Sequence, residues 1–222
     1  MTTLYLIRQG EAMGNVMLQF QGSIDKPLSP RGEEQTKCLE ERFRSIEVDV
    51  LYSSPLDRAY KTAEAVSRAT GCEIHIEELL TEIDGGEWEG KSWKDFPVLF
   101  PEAFDNWVNH PGVFQAPGGE SMEQVYDRAV KIISEIIERH PGKRIAVATH
   151  GCFIRNALCF LLGYPILEMN RVPLADNTAI SAFHIENGKI EPVFLNDNSH
   201  LSPELSSKGK YKLWEEAPAD AK

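Results

Sequence analysis

Three apolar runs each end in residues equipped for chemistry. Leu4-Tyr5-Leu6-Ile7 runs into Arg8-Gln9-Gly10-Glu11, with Asn15 just behind. Val48 to Tyr52 is followed by Ser53-Ser54-Pro55 and Arg58, and Arg144 to Thr149 by His150-Gly151. Guanidinium groups are permanent cations that grip phosphate oxygens in pairs. A glycine beside them lets backbone approach a ligand. Arg8, Arg58 and His150 with Gly151 therefore suit a tetrahedral phosphoryl group. Glu82, on a nearby loop, can supply the acid and base that a leaving alkoxide and an incoming water require. Singly, each has a plainer role: a surface arginine, a satisfied core histidine, one carboxylate with Glu87 and Glu89 as rivals. Placed together at one edge of a sheet, they favour a site.

To act together, these residues need a scaffold that gathers the ends of distant strands. Strand one is read as Thr3 to Ile7, and the loop after it holds Gln21-Gly22. Ser29-Pro30 then has the form of a helix start, serine as N-cap and proline at the first helical position, with the helix running to about Phe43. A strand from Val48 to Tyr52 ends at Ser53-Ser54-Pro55. That is a second cap-plus-proline start, which places Arg58 in a first helical turn beside the positive end of the dipole. A strand from Glu73 to Ile76 precedes an acidic, glycine-broken loop from Leu80 to Gly90. Residues 91–117 carry Trp93, Phe96, Phe100, Phe104, Trp107 and Phe114 and read as a small helical, cap-like insertion. Ser121 and Gln124 have capping-box spacing. They open a helix to about Arg139 that buries Val125, Ala129, Ile132, Ile133, Ile136 and Ile137. Arg144 to Thr149 is a strand, and Cys152 to Leu162 a helix. Thr178 to Ile185 and Lys189 to Leu195 form a hairpin across Asn187-Gly188. The polar tail after Leu201 is expected to pack loosely or fray. The alternation implies one α/β domain over residues 1–222, a mostly parallel sheet with helices on both faces. In such sheets the ligand crevice lies beyond the carboxyl ends of the strands.

Composition narrows the partners. A net charge of -11 opposes nucleic acid and anionic membrane surfaces. An anionic small molecule is accommodated if a few arginines make a local positive pocket. No apolar run approaches the ~20 residues that span a bilayer. Met1-Thr2-Thr3 leads directly into the first strand with no signal-like pattern. Cys38, Cys72, Cys152 and Cys159 lack metal-site spacing and are read as thiols in a reducing cytosol. A cytoplasmic protein is expected; a homodimer is compatible with the sequence.

Several of these motifs, in this order, resemble the histidine phosphatase superfamily, the phosphoglycerate mutase-like group, over roughly residues 3 to 201. Arg8-Gln9-Gly10-Glu11 and Asn15 stand where the family has Arg-His-Gly-Glu and a following Asn. Ser54-Pro55-Leu56-Asp57-Arg58-Ala59-Tyr60-Lys61-Thr62-Ala63 matches its Ser-x-x-x-Arg-Ala-x-x-Thr-Ala element. Glu82, Gly118-Gly119-Glu120-Ser121 and Thr149-His150-Gly151 match as well, and Ser199-His200-Leu201 more weakly. The resemblance implies a three-layer α/β fold and a phosphohistidine mechanism. The residue at position 9 would attack phosphorus, and Arg8, Arg58 and His150 would bind the phosphoryl oxygens. Asn15 would donate to the phosphate, and Glu82 would protonate the leaving oxygen and then activate water. No metal or cofactor is implied.

Position 9, however, is glutamine. Its amide nitrogen shares its lone pair with the carbonyl and is a very poor nucleophile. The chain as written is expected to bind a phosphorylated ligand and turn it over poorly or not at all. Two explanations compete, a ligand-trapping substitution in an active phosphatase and a pseudoenzyme that only binds. Intact Arg8, Arg58, Glu82 and His150 favour the first. A third possibility makes His150 itself the nucleophile. Gly86-Glu87-Trp88-Glu89-Gly90 resembles the phosphatase form of the glutamate loop more than the mutase form. The short insertion carries only Lys91 and Lys94 as cations, which favours hydrolysis over mutase-type transfer. Gln21, Gly22, Trp88 and Trp93 are expected to line the substrate pocket, with Phe96 and Trp107 beside them. Small monoesters such as sugar phosphates, phosphoserine or α-ribazole phosphate are candidate substrates.

Overall fold

The structure, a computed structural model, describes residues 1–207. Its strands are β1 (Thr2–Arg8), β2 (Val50–Ser53), β3 (Ile74–Ile76), β4 (Arg144–Thr149), β5 (Ile180–Glu186) and β6 (Lys189–Asp197). Among the described residues these form one six-stranded sheet in the order β3-β2-β4-β1-β5-β6. The first four positions are parallel, and β5 and β6 add an antiparallel edge. Asn187 and Gly188 both have positive φ, 51° and 78°, as a two-residue hairpin turn requires.

Alternate residues of the central strands face two apolar layers. Leu4, Leu6, Ile145, Val147 and Phe183 face one side, and Ile7, Leu51, Ala146, Ala148 and Ile180 the other. Helices then cover both faces because each carries one apolar stripe. Among the helices, α1 is Met13–Val16, α2 Pro30–Phe43, α3 Asp57–Thr70, α4 Phe96–Leu99, α5 Pro101–Asn109, α6 Met122–Arg139 and α7 Gly151–Leu161. Leu39 and Phe43 of α2 and Ala63 and Val66 of α3 close one layer. Val125, Ile133 and Ile136 of α6 and Phe153, Ile154 and Leu158 of α7 close the other. Ile137, expected in the core, is only partly buried.

The helix signals hold with local shifts. Ser29 caps α2 by accepting from Gly32 N at 3.0 Å, and Ser121 and Gln124 form the reciprocal capping box of α6. The start of α3 lies later than its serines imply. Leu56 is the N-cap, and Ser54 Oγ accepts from Leu56 N at 3.3 Å just outside the helix. Helix α7 starts at Gly151, one residue early, with His150 as N-cap. The start of the polar tail is not loose. Gln35 Nε2 donates to Leu205 O at 2.8 Å, and Asp176 accepts from Ser206 Oγ at 2.6 Å and Ser207 N at 3.0 Å. Buried carboxylate and amide groups tie this stretch down where composition alone suggested fraying. The remainder of that tail lies outside the described residues.

Candidate active site

Parallel register brings the strand ends to one edge. Arg8 of β1 lies beside Thr149 of β4, and Ser53 of β2 beside Ala148. Beyond that edge is a cavity of about 370 Å³. Arg8, Gln9, Asn15, Gln21, Gly22, Arg58, Glu82, Trp93 and Gly151 all line it, so segments spread over most of the chain converge as expected.

Backbone and neighbouring side chains frame these groups. Gln9 is buried at the end of the central strand; its N–H donates to Thr149 O at 2.8 Å and its carbonyl accepts from Asn177 Nδ2 at 3.0 Å. Gly10 N donates to Thr62 Oγ1 at 3.0 Å. Arg58 is 1% exposed and donates to Ile24 O at 2.8 Å and Gly22 O at 2.7 Å. Burial lowers its pKa, and Glu82 and Asp25 oppose that shift. The loop it grips requires glycine at position 22. Gly22 has φ 52°, and a Cβ there would meet Glu89 Oε1 at 2.3 Å. Asn15 Oδ1 accepts from Ala12 N at 3.0 Å and Gln21 Nε2 at 3.4 Å.

Glu82 sits on the N-terminus of α7. Its carboxylate accepts from Cys152 N at 3.0 Å and Phe153 N at 3.1 Å, two of the N–H groups a helix start leaves unsatisfied. The loop that presents it is pinned from behind. Arg128 donates to Leu79, Thr81 and Glu82 carbonyls and pairs with Glu120 at 2.9 Å. Gly119 packs against the same loop, where a Cβ would lie 2.3 Å from Asp84 O.

Two expected lining residues do not reach the cavity. His150 is fully buried, with Nε2 at 2.7 Å from Ser54 Oγ. Burial first, then Arg58, Arg128 and Arg8, push its pKa well below the ordinary value, so the ring is neutral. The wall there is formed instead by the next residues, Gly151 and Cys152. Trp88 is also fully buried; it stacks on Phe96 at 4.1 Å and packs behind Phe20, Trp93 and Trp107. Phe20, Trp93 and Trp107 face the cavity in its place, whereas Phe96 stays beneath them. Packing the large indole into the core gains apolar burial and leaves its Nε1 without a hydrogen-bond partner among the described residues.

Several lining residues carried no clear signal: Gln19, Ile83, Val108, Arg155, Pro173 and Leu174. Arg155 was findable, since it follows Gly151 by four residues on one helix and so shares its face. Pro173 and Leu174 were not, because they belong to an irregular segment. That segment is stapled by arginine-to-carbonyl bonds, Arg8 to Ala175 O and Arg155 Nε to Val172 O at 3.0 Å. Among the described residues no cluster of three or more His, Cys, Asp or Glu could hold a metal ion. No helix among them is long and apolar enough to cross a membrane.

The model of the histidine phosphatase superfamily (branch 1) matches residues 4–198. The chain belongs to this superfamily. Phosphoserine phosphatase 1 of Hydrogenobacter thermophilus is 34% identical over 201 residues, covering 90% of this chain and 95% of that protein. Among solved structures, Bacillus stearothermophilus YhfR superposes with a TM-score of 0.86 at 30% identity, covering 90% of this chain and 99% of that one. A phosphoserine phosphatase mutant of Entamoeba histolytica, in complex with phosphoserine, superposes at 0.79 with 26% identity over 91% of this chain and 100% of that one. The histidine phosphatase fold of these neighbours is the mixed, mostly parallel α/β sheet described above.

Proposed function

We propose that this scaffold is a phosphomonoesterase for a small phosphorylated metabolite, with turnover suppressed by glutamine at position 9. The observation that carries the reading is the convergence of Arg8 and Arg58 on one cavity that also touches the start of α7. Two guanidinium groups favour a dianionic group, in a chain otherwise strongly acidic. The phosphatases named above, similar over most of their length, support the same reaction class.

In this reading Arg8, Arg58 and the Nδ2 of Asn15 hold the phosphoryl oxygens at the Gly151 end of α7. Glu82, already aimed there by two N–H groups, serves the leaving oxygen. Because His150 is neutral, the positive charge offered to phosphorus comes from the arginines. An imidazole at position 9 would attack phosphorus, displacing the alkoxide to give a phosphohistidine that water hydrolyses. The carboxamide of Gln9 cannot take that first step, so the chain as it stands is a receptor for phosphorylated ligands.

The test is Gln9→His with p-nitrophenyl phosphate. We expect a gain in kcat on the order of 10⁴ or more, the scale associated with a covalent nucleophile, and an acid-labile phosphohistidine on that residue. If Gln9→His gains nothing while phosphate still binds, the chain is a binding protein. A phosphorylated His150 peptide would assign the nucleophile elsewhere.

A further inference from the structure

Arg155 is a cation in the cavity wall with no acidic ion-pair partner among the described residues. Its Nε donates to Val172 O at 3.0 Å and its second nitrogen to Met169 O at 3.1 Å. Among the described residues no aspartate or glutamate forms an ion pair with it. Arg31, Arg128 and Arg144, by contrast, pair with Glu11, Glu120 and Asp49. Acids are plentiful here, 34 against 23 lysines and arginines, so the absence of one at this partly buried guanidinium is a local feature. The titratable groups that bear on Arg155 are the thiols of Cys152 and Cys159. Burial pushes both thiols up, so they stay protonated and offer no negative charge.

Its position relative to the phosphoryl end is set by helix geometry. A Cβ on Gly151 would lie 3.1 Å from Arg8 Nε, so the first residue of α7 touches the phosphate-binding arginine. Arg155 is four residues further along the same face, about 6 Å up the axis. A ligand with its phosphate at Arg8 and Arg58 therefore meets a second, separate cation a few bonds away. Of the described residues that line the cavity, Glu82 is the only carboxylate, against Arg8, Arg58 and Arg155. A phosphate dianion alone leaves the far arginine without an anion to pair with.

We propose that Arg155 receives a carboxylate of the ligand, so that the cavity selects small phosphorylated carboxylic acids over other phosphomonoesters. This rests on the phosphomonoester reading above and names the class within it. Arg155 is a specificity-determining residue, which leaves the reacting atoms to Arg8, Arg58 and Glu82. Its two backbone contacts fix the guanidinium in place, so little side-chain freedom is lost when an anion arrives.

Matched ligands test this on the full chain as it stands. Calorimetry would compare 3-phosphoglycerate with glycerol 3-phosphate, and phosphoserine with phosphoethanolamine, pairs that differ in the carboxylate. We expect the carboxylate member of each pair to bind about 10- to 100-fold tighter, the scale of a charge-assisted contact. Arg155→Gln should collapse that ratio towards one, whatever it does to both affinities together. Arg155→Lys, which keeps the charge but not the paired donors, should retain part of it. A purely structural role for Arg155 would lower both members of a pair alike and leave the ratio intact, which overturns the proposal. Equal binding of both members by the unaltered chain also overturns it and leaves the phosphate pocket standing. Failure to bind any of the four compounds overturns the pocket itself.

Discussion

His200 shows how a single side chain can bear on the site without touching it. Its Nε2 lies 3.0 Å from Thr178 Oγ1, and Thr178 N donates to Arg8 O at 3.0 Å. Thr178 has φ 58°, a strained value for a β-branched residue, so the histidine braces a turn set against the exit of β1. Burial lowers the His200 pKa to about 4, partly opposed by Asp197. The folded value lies below the unfolded ~6.5, so the unfolded chain takes up the proton first. The stabilisation is full above pH 6.5 and is lost as pH falls towards 4, worth about 2 kcal/mol after allowing for partial exposure. Urea midpoints at pH 7 and pH 4.5 should therefore differ less in His200→Gln than in the parent. Buried His150 adds to the acid loss in both proteins. The late Ser199-His200-Leu201 match, the weakest motif in the sequence, has a physical basis in this brace.

At the scale of elements, the glycine pair before α6 matters most for Glu82. Sequence shows Gly118-Gly119-Glu120-Ser121 as a loop and helix start; the fold shows it as the back support of the glutamate loop. Gly119 abuts Asp84 O and Gly86 N, both backbone atoms that cannot swing aside. Gly119→Ala should cost roughly 2–3 kcal/mol by overpacking, read as a lower urea midpoint. In the Gln9→His background it should also cut kcat by displacing Glu82. The strand ends were legible because parallel pairing forces carboxyl termini to a common edge. The hairpin was legible at Asn187-Gly188, but its place beside β1 was not, since pairing at such separation leaves no local pattern. The 169–175 segment left no trace for a related reason. Its backbone carbonyls accept from Arg8 and Arg155, and any residue has a carbonyl. Trp88 and His150 lie deeper than their residue types suggested, because burial depends on what packs around a side chain.

For the whole molecule, the contrast between surface and cavity has a kinetic consequence. The chain carries -11 overall, while three arginines and one carboxylate line the cavity among the described residues. On the proposal above, an anionic ligand would be repelled at long range and attracted only at the mouth. Salt screens exposed charges over about 10 Å at 0.1 M, and enclosed groups much less. The association rate for 3-phosphoglycerate should therefore rise a few-fold between ~10 mM and ~150 mM salt, measured by stopped flow. A fall would mean that the local field extends well beyond the mouth. The position of β1 carries a different consequence. It lies between β4 and β5, with backbone pairing on both sides up to its last residues. The main chain at position 9 is thus held by neighbours that do not depend on which side chain sits there. Histidine and glutamine codons differ only in the third base. On the proposal above, one nucleotide change would silence or restore turnover while the phosphate pocket stays whole, and a lineage could cross that step in either direction without refolding anything.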